Sequence, residues 1–268
     1  MANASLHNAW AAGHFILLLS ALRYAVAWVT LRWSGYDFWY KATFLGALIS
    51  YAIVCYKSLG TPQPNKAYLH RVLVDENAQY FLLAAFWLFT KPVAFAVVPY
   101  ATFSLFHALT FTRTNILPKA FPSNAPPTVG PNGQSQLPQS ALQKKIHVWV
   151  KSYYEPAMSW VARFELIILL RVLVGAILFR NSILVPLCYA QFLRTRYLFS
   201  PFTQDAVAYA DAWITAQVQG PSIPPQVKKG WEVARMLIVR CCEFGMIAPQ
   251  RAPAAAGPAA AAPAPARQ

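Results

Sequence analysis

Five histidines, at positions 7, 14, 70, 107 and 147, are the side chains best suited to move protons near neutral pH or to ligate a metal. Their spacing contains no HExxH or other paired-ligand pattern. The four cysteines, at 55, 188, 241 and 242, form no CxxC and no Cys/His metal spacing. Two of them lie in apolar runs and two are adjacent, so they read as reduced core or interfacial thiols. A GxSxG turn, a phosphate-cradling glycine loop and a catalytic carboxylate pair are all missing. What remains is ionisable residues inside apolar stretches. His107 lies in "SLFHALTFT", and Glu165 and Arg171 lie in "FELIILLRVLVGAILF". Such residues within a membrane segment are functional candidates by default, as links in an ion or proton path. Ser104 and Thr110 flank His107 within a helical turn, which favours a packed, hydrogen-bonded neutral imidazole. Arg171, Glu165 and His107 lining a polar path would make a small transporter or channel. With no chain of carboxylates to carry protons, that is the alternative reading. No enzyme, no cofactor and no metal are expected.

These residues must be positioned by elements that are themselves unusual. Of 268 residues, 57% are hydrophobic and 12% charged, about half the charged share of a soluble domain. A soluble chain this short could not hide so much apolar surface, so lipid is the expected solvent. The apolar segments are Gly13 to Leu31, Phe38 to Tyr56, Ala78 to Thr90, Pro92 to Thr112, Phe164 to Phe179 and Ile183 to Leu193. "RWSGYD" joins the first two as a tight turn with Trp33, Tyr36 and Trp39 around it, the composition of an aromatic belt. Arg23 sits inside the first segment, whose insertion is near balance alone and needs packing partners. "FILLLSALRYAVA" imitates a signal peptide. No Lys or Arg precedes its apolar run and Arg23 interrupts it, so an uncleaved first helix is expected.

In "FLLAAFWLFTKPVAFAVVPY", Lys91 and Pro92 divide an otherwise uncharged run. A single kinked helix over 78–112 would be about 50 Å long, against a hydrocarbon core of about 30 Å. Proline ends one helix and starts the next well, while lysine reaches water or headgroups. Lys91 and Pro92 are therefore expected at the tip of a helical hairpin. The same layout occurs three times, as apolar pairs joined by very short turns. The long stretches between pairs and the C-terminal region carry most of the 23 Lys and Arg. The positive-inside rule puts all of them, and both termini, in the cytosol. Segments three and six are about 13 and 11 residues, or about 20 and 17 Å as helix, too short to span a core of about 30 Å without thinning or neighbours. Hairpins that enter from the cytosol and stop short would wedge the near leaflet and favour positive curvature.

The expected fold class is thus all-α: a polytopic membrane protein of about six short apolar helices in three hairpins, with cytosolic amphipathic helices and a disordered tail. The divisions are 1–112 (hairpins one and two), 113–163 (a basic, Pro/Gln-rich cytosolic connector), 164–199 (the third hairpin), 200–248 (cytosolic amphipathic helices) and 249–268 (an Ala/Pro tail). Within the connector, 144–159 could form an interfacial helix, and 121–140 should be disordered. Residues 205–218 read as helical.

The stretch 226–247 has helical periodicity. Trp231, Ala234, Leu237, Ile238, Cys241, Cys242 and Phe244 fall on one side. Lys228, Lys229, Glu232, Arg235, Arg240 and Glu243 fall on the other, with Met236 and Val239 as intruders. A basic face opposite Trp and Phe suits an in-plane interfacial helix. Lys228, Lys229, Trp231, Arg235, Ile238, Arg240 and Phe244 are the expected contacts with a membrane surface or a partner. The bland alternative docks this helix on the protein's own cytosolic surface. The formal charge of +14 suits anionic headgroups. Nucleic acid is not expected, since no basic-aromatic binding motif is present.

Residues 72–112 carry an acidic pair, Asp75 and Glu76, before an apolar run. Pro92 follows in the midpoint turn, then Pro99, then a Phe-Ser-Leu-x-His-Ala box containing Phe103, Ser104 and His107. With "FELIILL…VPLCYAQFLRTRY" (164–197), this pattern resembles the transmembrane protein 33 family, whose fungal members are called pore membrane protein 33. The resemblance covers roughly residues 10–245; the insert at 121–140 and the Ala/Pro tail depart from it. It implies a multipass protein of the endoplasmic reticulum and nuclear envelope without catalytic residues. Such a protein shapes the tubular network with reticulon-type proteins and helps nuclear pore complexes assemble or distribute. It also implies nucleoporins or a nuclear transport receptor as partners, with the C-terminal amphipathic region contacting curved membrane.

Overall fold

Glycine decides how the first two helices meet. The computed structural model describes residues 2–31, 35–121, 128–129, 135–136 and 140–243. Helices α1 (Ala2–Val29) and α2 (Tyr36–Leu59) run side by side, joined by a short turn whose Gly35 adopts a left-handed conformation at φ 73°. A Cβ on Gly46 would lie 2.7 Å from the Leu17 amide nitrogen and 2.8 Å from the Gly13 carbonyl oxygen. The two backbones therefore touch, as small residues allow between helices in lipid. Ser50 Oγ closes the contact by donating to the Trp10 carbonyl at 2.9 Å. α1 begins well before the first apolar segment. Its early turns are Ala-rich, and His7 and Trp10 pack on the Phe111 ring.

The chain continues through a short helix α3 (Lys66–Val74), α4 (Glu76–Phe89), a 3-10 turn (Ala94–Ala96), α5 (Val97–Phe111), a π turn (Thr112–Ile116) and α6 (Leu117–Ala120). Thr128–Val129 pairs antiparallel with Ser135–Gln136 as strands β1 and β2; the rest of the Pro/Gln-rich insert lies outside the described residues. Then come α7 (Ala141–Ile177), α8 (Leu184–Phe199), α9 (Pro201–Val218) and α10 (Pro225–Glu243). Packing divides the chain into two units, 1–214 and 215–268.

The first unit is an all-helical bundle whose core is strongly aromatic: Tyr24, Tyr40, Phe44, Tyr51, Tyr80, Trp87, Tyr100 and Tyr189 are buried in one cluster. The outer faces carry exposed Leu19, Leu22, Leu45, Leu82 and Leu170. Apolar residues on both sides mark a bundle solvated by lipid. Among the described residues, three helical stretches are long and apolar enough to cross a membrane: Ala4–Val29, Tyr36–Leu59 and Ala94–Ala120.

The hairpin at Lys91 and Pro92 forms: α4 stops at Phe89 and the chain doubles back. Tyr80 touches the rings of both Tyr100 and Phe103, which a straight helix would hold about 30 Å away.

One boundary is corrected. The expected interfacial helix at 144–159 and the fifth apolar segment are a single helix, α7, of 37 residues. Ser140 and Gln143 start it with a reciprocal capping box. Its buried stripe of Met158, Val161, Ala162, Glu165, Ile168, Val172 and Gly175 passes through the boundary without a break. Pro156 is accommodated on the exposed side. The outer half packs on α5, where Phe106 meets Trp149 and Tyr154.

Candidate functional site

Glu165 is the most deeply buried acid among the described residues, 1% exposed, and the bundle is built around it. The Tyr80 hydroxyl donates to its Oε1. Its Oε2 faces Arg196 Nε at 4.0 Å. Arg196 Nη1 in turn donates to Glu76 Oε1 at 2.6 Å, and the guanidinium lies over the Tyr80 ring at 5.1 Å. Tyr100 fixes Tyr80 from behind, its hydroxyl donating to the Tyr80 carbonyl at 2.9 Å. One cation and two carboxylates thus join α4, α7 and α8. Glu76 stands in the first turn of α4 and Arg196 in the last turn of α8, where each sign suits the helix dipole. A buried acid needs such partners, because an unpaired charge in an apolar bundle is costly.

The histidines form a second cluster. Ser104 Oγ hydrogen-bonds His14 Nδ1 at 2.9 Å, and the His14 and His107 rings stack with centroids 4.7 Å apart. Trp10 lies edge-on to both rings and stacks on His7. The expectation that His107 bonds a neighbour on its own helix is corrected as regards Ser104. That hydroxyl is taken by α1, and ring packing holds the imidazole. Among the described residues, no group of three or more His, Cys, Asp or Glu side chains could hold a metal.

The polar path of the alternative reading is not assembled. Glu165 faces Arg196 and Tyr80, His107 belongs to the α1–α5 contact, and Arg171 is on the exposed side of α7. The partner that sequence reading missed is Arg196. Its burial inside "RTRY" has no local signal, since Arg194 stands two residues away.

The motif residues fall into structural roles. Asp75 caps α4 by accepting from the Ala78 amide at 2.8 Å, and Phe103 packs on Tyr80. Lys91 and Pro92 lie in the break between α4 and the 3-10 turn, Lys91 exposed. The hairpin ends mix charged and apolar side chains, with Lys91 and Arg180 exposed there. Phe89 is 86% and Phe179 95% exposed, with Ile177, Leu178, Ile183 and Leu184 exposed beside Phe179.

In the second unit, α10 carries Lys228, Lys229, Trp231, Arg235, Ile238 and Arg240. Val227, Leu237 and Ile238 on its apolar side are exposed. The Trp231 indole N–H donates to Thr215 Oγ1 at 2.9 Å, so this tryptophan is tied to the end of α9 within the unit. Phe244 and the Ala/Pro tail lie outside the described residues.

A family model described as "Transmembrane protein 33/Nucleoporin POM33" matches residues 1–243. The chain is 37% identical over 238 residues to "Nucleoporin POM33" of Chaetomium thermophilum, covering 85% of this chain and 83% of that one. It is 30% identical to "Tetra-spanning protein 1" of Schizosaccharomyces pombe, covering 85% and 81%. It is also 30% identical to "Pore membrane protein of 33 kDa" of Saccharomyces cerevisiae, covering 90% and 85%. No solved structure matches.

Proposed function

Because this chain belongs to the transmembrane protein 33/nucleoporin POM33 family, we propose that it is a non-enzymatic organiser of the endoplasmic reticulum and nuclear envelope. It shapes membrane and assists nuclear pore complexes to assemble or distribute. The names of the fungal relatives support the pore association.

The observation that carries the membrane-shaping reading is length. α4 and α8 have 14 and 16 residues, or about 21 and 24 Å of helix against a core of about 30 Å. Their open ends are held level by the Arg196–Glu76 pair, and the opposite tips expose Phe89, Phe179 and Leu184. Those apolar side chains favour hydrocarbon, while the exposed Lys91 and Arg180 reach headgroups from the same tips. A bundle that fills one leaflet more than the other is a wedge.

The basic connectors and both termini face the cytosol, the side where the wedge is broad. α10 lies in the headgroup layer there, its Lys and Arg over anionic lipids and its Trp, Leu and Ile in the acyl boundary. Reticulon-type proteins, nucleoporins or a nuclear transport receptor are the protein partners this role calls for, and nucleic acid is not among them.

Reconstitution tests the proposal. Vesicles loaded with increasing amounts of the full chain, viewed by electron cryomicroscopy, should narrow or tubulate. Inserting four leucines into α4 and into α8 should abolish this. Vesicles of unchanged size at every loading would refute it.

A further inference from the structure

Helix α3 stands between two membrane helices and is pinned to both. Its N-terminus is capped by Asn65, whose Oδ1 accepts from the Tyr68 amide at 2.6 Å. At the other end, the Asp75 amide donates to the Arg71 carbonyl at 2.9 Å, while the buried Gln79 of α4 donates its Nε2 to the Leu73 carbonyl at 2.8 Å. Ser58, in the last turn of α2, donates to Asp75 Oδ2 at 3.4 Å. The junction of α3 and α4 is therefore level with the end of α2.

That level can be placed in a bilayer. α2 has 24 residues, about 36 Å of helix, slightly more than a core of about 30 Å. Its last turn emerges among the headgroups, and α3 must lie there too. The surface α3 presents at this depth is mixed. Leu69 and Leu73, one turn apart, are 57% and 52% exposed, and Lys66, His70 and Arg71 are exposed around them. Tyr68 and Val72 turn toward the bundle and are half-buried.

The nearby acids are already engaged: Asp75 caps α4 and Glu76 pairs with Arg196. Among the described residues neither Lys66 nor Arg71 has an ion-pair partner, and Arg71 rests over the Tyr68 ring at 5.6 Å. Two leucines beside cations suit a surface where hydrocarbon begins and phosphate is dense.

We propose that α3 is a lipid-binding in-plane helix, with Leu69 and Leu73 inserted at the acyl boundary and Lys66 and Arg71 holding phospholipid phosphates. This rests on the reading that the hairpins stand in a bilayer. It adds a second interfacial element, fixed in the first unit and separate in sequence from α10. Its place at the broad end of the wedge would enlarge that end.

Depth-resolved quenching tests the proposal. Single cysteines at Leu69→Cys, Leu73→Cys, Thr61→Cys and Leu45→Cys are made in the full chain with its natural cysteines replaced by serine. Each is labelled with an environment-sensitive fluorophore and reconstituted in phosphatidylcholine vesicles containing phosphatidylserine. Probes at 69 and 73 should be quenched several-fold more by bromine-tailed lipid than the probe at 61, and several-fold less by aqueous iodide. Equal behaviour at 61, 69 and 73, with the probe at 45 lipid-quenched, would overturn the proposal for α3 alone. It would make this face a water-exposed surface for a protein partner. An unquenched probe at 45 would overturn the bilayer reading with it. The unsubstituted chain gives a second measurement: phosphatidylserine with a photoactivatable group near its glycerol should crosslink within 66–74. Labelling of α2 without labelling of 66–74 would overturn the assignment.

Discussion

Arg196 Nη1 reaches Glu76 Oε1 at 2.6 Å across 120 residues of sequence, with the buried Glu165 on its other flank. The two acids are not equivalent partners. Glu76 is half-exposed, whereas Glu165 is sealed in the bundle. Arg196→Leu leaves Glu165 buried beside an apolar side chain and should cost about 3–5 kcal/mol. Glu76→Gln removes a partly solvated pair and should cost about 1 kcal/mol or less. Thermal unfolding in detergent should rank the two variants in that order. Equal losses would mean that the Glu165 contact contributes nothing.

The same centre predicts non-additivity. Arg196→Leu strands the buried Glu165, and Glu165→Leu leaves the buried Arg196 with Glu76 alone, while the double variant leaves no buried charge, only the half-exposed Glu76. The double variant should be more stable than the sum of the single losses implies, by a coupling of about 0.5–3 kcal/mol. A strictly additive cycle would deny the interaction.

Close contact of α1 and α2 depends on Gly46, where a Cβ would enter the space of the Leu17 amide and the Gly13 carbonyl. Backbone atoms cannot swing aside as side chains do. Gly46→Ala should destabilise the hairpin by about 1–3 kcal/mol, and Gly46→Val by more. Melting temperature and monodispersity in detergent report the effect. Wild-type stability in Gly46→Val would show that the helices are further apart.

For the C-terminal helix, a peptide spanning 222–247 should bind vesicles containing anionic lipid, more weakly as salt rises. Replacing Trp231, Ile238 and Phe244 by Asp should abolish binding, as read by vesicle co-sedimentation. Neutralising Lys228, Lys229, Arg235 and Arg240 should reduce binding to anionic vesicles and leave the weak binding to neutral ones. Unchanged sedimentation of the Asp variant would remove this helix from the proposed function.

Orientation is tested by glycosylation mapping. Acceptor sites placed in the turns at 34–37, 90–92 and 180–182 should be modified, or escape only by lying too deep. Acceptors at 61–64 and within 121–140 should never be modified. Modification of the 121–140 insert would invert the proposed topology of the third hairpin.

Much of the scaffold could be read from the letters. The apolar runs recur as α1, α2, α4, α5, α7 and α8, and the break at Lys91 and Pro92 separates two helices. These features are local, because a proline lacks a donor and an apolar run resists water whatever its neighbours. Boundaries were less legible. α1 starts early because Trp10 and His7 pack on Phe111, and α7 runs through 160–163 because its buried stripe continues without interruption.

Sequence alone determined that this chain carries apolar helices suited to a membrane and that its cations gather in the long connectors and the C-terminal region. Those properties belong to single residues and their near neighbours. Only the tertiary structure decided that Glu165 meets Tyr80 and Arg196 rather than Arg171, and that Ser104 serves His14 rather than His107. The hydrogen bonds to Glu165 and His14 join residues 85 and 90 positions apart. A polar group inside a lipid-solvated bundle takes whichever partner packing brings within reach, and sequence spacing does not encode that distance.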